Sequence, residues 1–312
     1  MRVLVLGGTG FIGAAVVRGL VAGGHRVARF HRGEPRGDVE TIRGDRRELP
    51  GHRRAFARFD PQAVIDTIAY TESDAAALVE TFRGLAGRLV VLSSQDVYAA
   101  YGRLLRLEAD APERIPLSEE APLRQSRYPH RAMAKPGEMA YDYDKILVEA
   151  AVSGHAGLPA TILRLPFVYG PDDPQRRLRQ YLLRMGEAEL LLDRAKAAWR
   201  WTRGYVEDVA GAIVLAAVDE RAAGRIYNVG EKDAPTEAEW VRLVGEASGW
   251  KGDVLAVARR DLPEGLAEPY DFSHDLAADT ERIRSELGFR EPVGRAKGVR
   301  RTVAWEAVQP PV

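Results

Sequence analysis

The chain has 312 residues, enough for two compact units or one with a large insertion. It is 46% hydrophobic, 8% aromatic and 29% charged, the balance of a globular protein rather than a disordered chain. Its 45 basic side chains match 45 acidic ones, which removes any general attraction to nucleic acid or an anionic membrane, and the absence of cysteine excludes disulfides, thiolate catalysis and cysteine-held metals.

Short β-branched runs alternate with longer helical patterns through the first 165 residues, the sign of βαβ units around a parallel sheet. Strands are predicted over 3–6, 26–30, 64–68, 89–92 and 160–163, with helices near 11–22, 46–58, 73–83 and 141–153. The first and last of these strands are almost continuously apolar, as when helices cover both faces of a sheet. Residues 99–139 contain Pro112, Pro116, Pro122, Pro129 and Pro136 and break the rhythm, so a long loop or flap near the site is expected there. After Arg164 the turn PFVYGPDDP leads to predicted helices over 175–185, 206–217 and 236–247 and a strand over 224–229. A capped helix in DTERIRSELGFREP ends at Gly288. The expected fold is α/β: a Rossmann-type doubly wound parallel sheet (1–165 plus about 205–230) with a smaller carboxyl-terminal α/β substrate domain (166–204 plus 231–312). No apolar run approaches the ~18 residues of a membrane span. The start MRVLVLGGTG reads as a strand and not a signal peptide, so a reducing cytoplasm is the expected compartment.

Gly7-Gly8-Thr9-Gly10-Phe11-Ile12-Gly13 follows the first strand and opens the first helix. Glycines at this spacing permit a tight turn and let a pyrophosphate approach the backbone, while the helix amino terminus offers amide donors. The second strand ends Phe30-His31-Arg32-Gly33 with no carboxylate to bond a ribose 2′-hydroxyl. Arg32, with His31, instead suits a 2′-phosphate, which predicts NADP(H) over NAD(H); the alternative is an arginine that is merely solvated. Asp45, in Gly44-Asp45-Arg46, follows the third strand, where a carboxylate can hold the adenine amino group.

Tyr141-Asp142-Tyr143-Asp144-Lys145 supplies a reactive pair. On the predicted helix, Tyr141 and Lys145 at i and i+4 share a face. An ammonium there would draw the phenol pKa down from about 10, so that tyrosine could exchange a proton with a substrate oxygen during hydride transfer at a nicotinamide. Ser93-Ser94 ends the 89–92 strand, at the edge of a parallel sheet where ligands bind, and can bond the reacting oxygen. The six histidines are dispersed and show no metal spacing, so no metal site is predicted.

Together, GGTGFIG, SSQDVY, YDYDK, RLPFVYGP, GYVEDVA and RIYNVG resemble the extended short-chain dehydrogenase/reductase family, the NAD(P)-dependent epimerase/dehydratase group typified by UDP-galactose 4-epimerase. The resemblance covers nearly the whole chain. It implies Tyr141 as acid/base, Lys145 as its electrostatic partner and a ribose ligand, and Ser94 as the hydroxyl that polarises substrate. It also implies a cofactor bordered by Thr67, Ile68, Ala69, Ser93 and Pro166, and a small-molecule substrate near Gln95, Asp96, Phe167, Arg200 and Arg203. The resemblance leaves room for a homodimer through helices on one sheet face. Four departures stand out. Phe167 replaces the asparagine that meets a nucleotide-sugar diphosphate. Trp201 falls where the family places an arginine, between Arg200 and Arg203. Gln95 cannot supply the acid of sugar-nucleotide dehydratases, which disfavours dehydration. The gap from Ser94 to Tyr141 is also long. The expected activity is NAD(P)-dependent oxidoreduction or epimerisation at a hydroxyl or carbonyl of a sugar-like or polar metabolite; the alternative is a diverged cofactor-sensing or RNA-binding relative of the same fold.

Overall fold

The computed structural model describes residues 1–34 and 37–310. Its strands are β1 (Arg2–Leu6), β2 (Arg26–His31), β3 (Glu40–Arg43), β4 (Ala63–Asp66), β5 (Arg88–Ser94), β6 (Ala160–Leu165), β7 (Phe167–Tyr169), β8 (Glu189–Asp193), β9 (Arg203–Tyr205), β10 (Ile226–Asn228) and β11 (Asp253–Val257). The helices are α1 (Phe11–Ala22), α2 (Arg53–Phe59), α3 (Glu72–Phe82), α4 (Ala99–Leu104), α5 (Lys145–Val152), α6 (Arg179–Arg184), α7 (Arg194–Ala198), α8 (Val206–Val218), α9 (Glu237–Ser248), α10 (Glu281–Leu287) and α11 (Arg295–Glu306).

Seven strands form one parallel sheet in the order β10-β6-β5-β4-β1-β2-β3. The chain winds outward from β1 to β3, then returns to β4 on the other side of β1. That reversal leaves a crevice at the carboxyl ends of β1 and β4, where open parallel sheets take their ligands. Alternation along β1 feeds two cores: Val3 and Val5 pack with α1 and α8, whereas Leu4 and Leu6 pack with α2, α3 and α5. All four side chains are fully buried, each worth roughly 1.5–3 kcal/mol relative to exposure. The predicted doubly wound sheet is therefore present, and its near-continuous apolar strands are those covered on both faces.

Three local expectations change. The helix predicted over 141–153 starts at Lys145, because Asp144 adopts extended φ/ψ and its carboxylate caps the Ile146 amide. The flap predicted over 99–139 is packed in place: Arg124 and Leu117 are buried, the Leu117 amide donates to the Ala277 carbonyl, and the Arg124 amide donates to the Val97 carbonyl. Beyond residue 231, α9 matches the helix predicted over 236–247, whereas β11, which pairs in parallel with β8, and α11, which packs on α9, were not predicted. The ending of α10 at Gly288 is as expected, with that residue in the left-handed region at φ 76°.

Candidate functional site

The glycine turn is shaped by contact. Gly7 has φ +83°, and a Cβ there would lie 2.4 Å from Thr67 Oγ1. A Cβ on Gly13 would lie 2.2 Å from the Gly7 carbonyl oxygen, so α1 can approach β1 only without a side chain. Gly10 caps α1 with no side-chain bond, and no acid occupies the first turn, which leaves the amides of Phe11 and Ile12 and the positive dipole end facing outward beside exposed Thr9. Thr67 and Ile68 back this turn, the Thr67 hydroxyl donating to the Leu6 carbonyl. These residues fit a dinucleotide pyrophosphate.

At the end of β2, His31 Nδ1 accepts the Gly33 amide, and the Arg32 side chain is 77% exposed with Nη1 4.0 Å from Asp45 Oδ2. Asp45 caps the turn that follows β3 by accepting the Arg47 amide, and the Arg47 guanidinium holds its carboxyl below the usual carboxylate range. Asp45, read from the sequence as a holder of the adenine amino group, is thus already paired with Arg47 and stands near Arg32.

Ser93 and Ser94 diverge because successive strand residues face opposite sides. Ser93 turns inward and donates to Glu149 Oε1 at 2.5 Å, next to the buried Glu149–Arg164 ion pair, so the expected cofactor contact of its side chain is replaced by a core one. Ser94 lines the cleft at the carboxyl end of β5. Lys145 is buried on α5 and its Nζ donates to the carbonyls of Ala69, at 2.6 Å, and Leu92, at 2.8 Å, tying the loop after β4 to β5. Burial pushes its pKa down to about 8, opposed by Asp96 and Asp66. The same ammonium sits 4.9 Å from the Tyr70 ring and 5.9 Å from the Tyr143 ring. Beneath Tyr70, Arg46 bridges the buried carboxylate of Asp66 and that of Asp74, and Asp74 accepts the Tyr70 amide.

Tyr141 does not share a helix face with Lys145. It lies in the turn before the Asp144 cap, its carbonyl accepts Arg131 Nε, and the Arg131 guanidinium sits 4.8 Å from its ring centre and 3.6 Å from that of Tyr128. The tyrosine brought to Ser94 is Tyr143. Its hydroxyl donates to Asp96 Oδ2 at 2.5 Å and is within hydrogen-bonding reach of Ser94. Burial, reinforced by the Asp96 charge, pushes the Tyr143 phenol well up. Burial also raises Asp96, whose second oxygen has no hydrogen-bond partner among the described residues. YDYDK contains both tyrosines; the spacing to Lys145 pointed to Tyr141 by assuming a helix through 141, whereas α5 starts at Lys145 and the contact with Asp96 is made by Tyr143.

A cavity of about 90 Å³ bordered by Ser94, Gln95, Asp96 and Tyr101 shares Ser94, Pro166 and Trp201 with an outer cleft of about 500 Å³. Phe167 lines the outer cleft and packs edge-on against Trp201 with centroids 4.8 Å apart. Gln95 is anchored by donating to the Val229 carbonyl. The two arginines expected at the substrate lie elsewhere. Arg203 is buried and paired with Glu237 at the start of α9, and Arg200 lines a separate cleft with Glu239 and Arg242. Trp201 and Tyr101 line the cleft at positions the sequence did not assign, and Tyr143 stands behind Ser94 and Asp96, bonded to the Asp96 carboxylate.

The model of the NAD dependent epimerase/dehydratase family matches residues 3–230. The chain is 31% identical over 298 residues to the 2'-dehydrokanamycin reductase of Streptomyces kanamyceticus, covering 90% of this chain and 75% of that one. It is 26% identical to dTDP-glucose 4,6-dehydratase 1 of Escherichia coli, over 98% and 92% of the two chains. Among solved structures, the UDP-glucose 4-epimerase of Thermus thermophilus in complex with NAD superposes with a TM-score of 0.70 at 26% identity, over 99% of this chain and 100% of that one. With the glycine turn, the β1/β4 crevice and a match through most of its length, the chain belongs to the NAD-dependent epimerase/dehydratase family, within the extended short-chain dehydrogenases/reductases.

Proposed function

We propose that this protein is a cytoplasmic NAD(P)-dependent oxidoreductase or epimerase that acts on a hydroxyl or carbonyl of a sugar-like or other polar small molecule. The observation that carries the proposal is the convergence of three features on one crevice: the glycine turn, Lys145 fixed between Ala69 and Leu92, and the Ser94 hydroxyl at the mouth of the inner cavity. A bound nicotinamide supplies or takes up hydride. The Phe11 and Ile12 amides hold its pyrophosphate, and Thr67, Ile68 and Ala69 form the wall behind the turn. Ser94 donates to the substrate oxygen, and a phenol from the YDYDK segment exchanges the proton.

NADP(H) is the proposed preference. Arg32 projects into solvent at the end of β2, and the nearby carboxylate of Asp45 bonds Arg47 instead of standing free for a ribose hydroxyl. Relatives named for reduction of a dehydrokanamycin, and for dehydration or epimerisation of nucleotide-linked glucose, support a sugar-like substrate. The buried amide at Gln95, where a dehydratase needs an acid, favours the redox reactions over dehydration. The test is a panel of sugar-like carbonyls and alcohols followed by dihydronicotinamide absorbance, with NADH and NADPH in parallel. Steady consumption with at least one substrate is expected. A chain that binds neither dinucleotide refutes the reading.

A further inference from the structure

Resting on the hydride-transfer reading above, we propose that Tyr143, and not Tyr141, exchanges the proton with the substrate oxygen, and that Asp96 acts through it as the proton partner. The two phenols occupy different surroundings. Tyr141 is held on Arg131 in the turn ahead of α5, whereas Tyr143 points its hydroxyl between Ser94 and Asp96, two residues that border the inner cavity. The hydrogen bonds of Lys145 go to backbone and not to a phenol oxygen. Its Nζ donates to two backbone carbonyls, and the ammonium lies 5.9 Å from the Tyr143 ring centre.

A buried phenol beside a carboxylate resists becoming phenolate. Tyr143 therefore needs an acceptor in contact, and Asp96 Oδ2 at 2.5 Å provides one. In the oxidative direction the substrate O–H bond breaks and its proton forms a new bond to Tyr143 Oη. The original Tyr143 proton passes to Asp96 Oδ2, which becomes a carboxylic acid. The electron pair of the substrate C–H bond leaves as hydride to a nicotinamide. Reduction runs the same line in reverse. Phenolate never accumulates, and the proton ends on a carboxyl group that burial already favours in its neutral form. The groups facing Asp96 are Tyr143 and Lys145 from the α5 segment, Arg124 and His130 from the 99–139 strap, and Tyr101 from α4. Arg124 is neutralised by Asp144 and gives its Nε bond to the Asp96 backbone carbonyl, so the Asp96 side chain keeps Tyr143 as its hydrogen-bonded partner.

The experiment compares Tyr143→Phe, Tyr141→Phe and Asp96→Asn in the full chain. Tyr143→Phe is expected to lower kcat by about 10²–10⁴-fold, with NADPH affinity, read by dihydronicotinamide fluorescence, unchanged within roughly twofold. Tyr141→Phe should retain kcat within roughly threefold, and Asp96→Asn should lower kcat far more than it changes KM. The second readout needs no turnover: NMR of tyrosine labelled at the ζ carbon, with Tyr143 assigned by its loss in Tyr143→Phe. The Tyr143 resonance should stay phenolic well past about pH 10 and titrate earlier in Asp96→Asn. If no substrate in the panel is turned over, the hydride-transfer reading fails, and the resonance still decides the pair. A Tyr143 phenolate at or below about pH 8, a titration unmoved by Asp96→Asn, or a loss of kcat in Tyr141→Phe equal to that in Tyr143→Phe overturns the proposal.

Discussion

Asp144 sets where α5 begins, and with it which tyrosine meets Ser94 and Asp96. Its carboxylate accepts the Ile146 amide at 3.0 Å, the Tyr128 amide at 2.7 Å and Arg124 Nη2 at 2.9 Å, and both ion-pair partners are fully buried. Asp144→Asn isolates the charge from the cap, since asparagine caps helices about as well as aspartate. With the capping oxygen kept for the Ile146 amide and Arg124 Nη2, the other becomes an NH₂ that can no longer accept, and the Tyr128 amide loses its partner. The guanidinium then lies buried without its counter-charge. Breaking such a pair on one side costs about 3–5 kcal/mol. Equilibrium urea unfolding followed by far-UV circular dichroism should show that loss with an unchanged slope. Replacing Arg124 as well, in Asp144→Asn/Arg124→Met, should recover part of it, because no charge is then stranded. A loss below about 1 kcal/mol, the scale of an exposed surface bridge, would refute the reasoning.

Gly13→Ala places a methyl on the Gly7 carbonyl and should abolish NADH and NADPH binding by fluorescence titration; retention within about threefold would show that the turn tolerates the side chain. Arg32→Ala should weaken NADPH by about tenfold or more while changing NADH little, and equal losses would remove the 2′-phosphate assignment. For Lys145 the folded-state pKa of about 8 lies below its ordinary 10.5, so between those values the unfolded chain binds more protons and stability rises with pH. The stability of the wild type relative to Lys145→Met should therefore climb by about 3 kcal/mol across that window; a difference that is flat or falls with pH contradicts the buried ammonium.

Much was legible from local pattern. The glycine spacing after β1 marks the turn because backbone and helix meet there too closely for a Cβ, a constraint that acts within seven residues. Continuous apolar runs announced β1 and β6, since two helical layers demand burial on both faces. Local pattern also put Ser94 at a strand's carboxyl end and Lys145 on a helix, though a turn inside it and not at its start. Tertiary contacts decided the rest. Spacing alone aligned Tyr141 with Lys145, but Asp144, held by Arg124 from twenty residues away in sequence, caps the helix late and delivers Tyr143 instead. The arginines flanking Trp201 looked available to substrate, but in the fold Glu237 captures Arg203 as a buried ion pair. Helix and strand periods depend on neighbours along the chain, whereas a buried charge takes whichever counter-charge the folded chain brings to it, and no short window of sequence contains that partner.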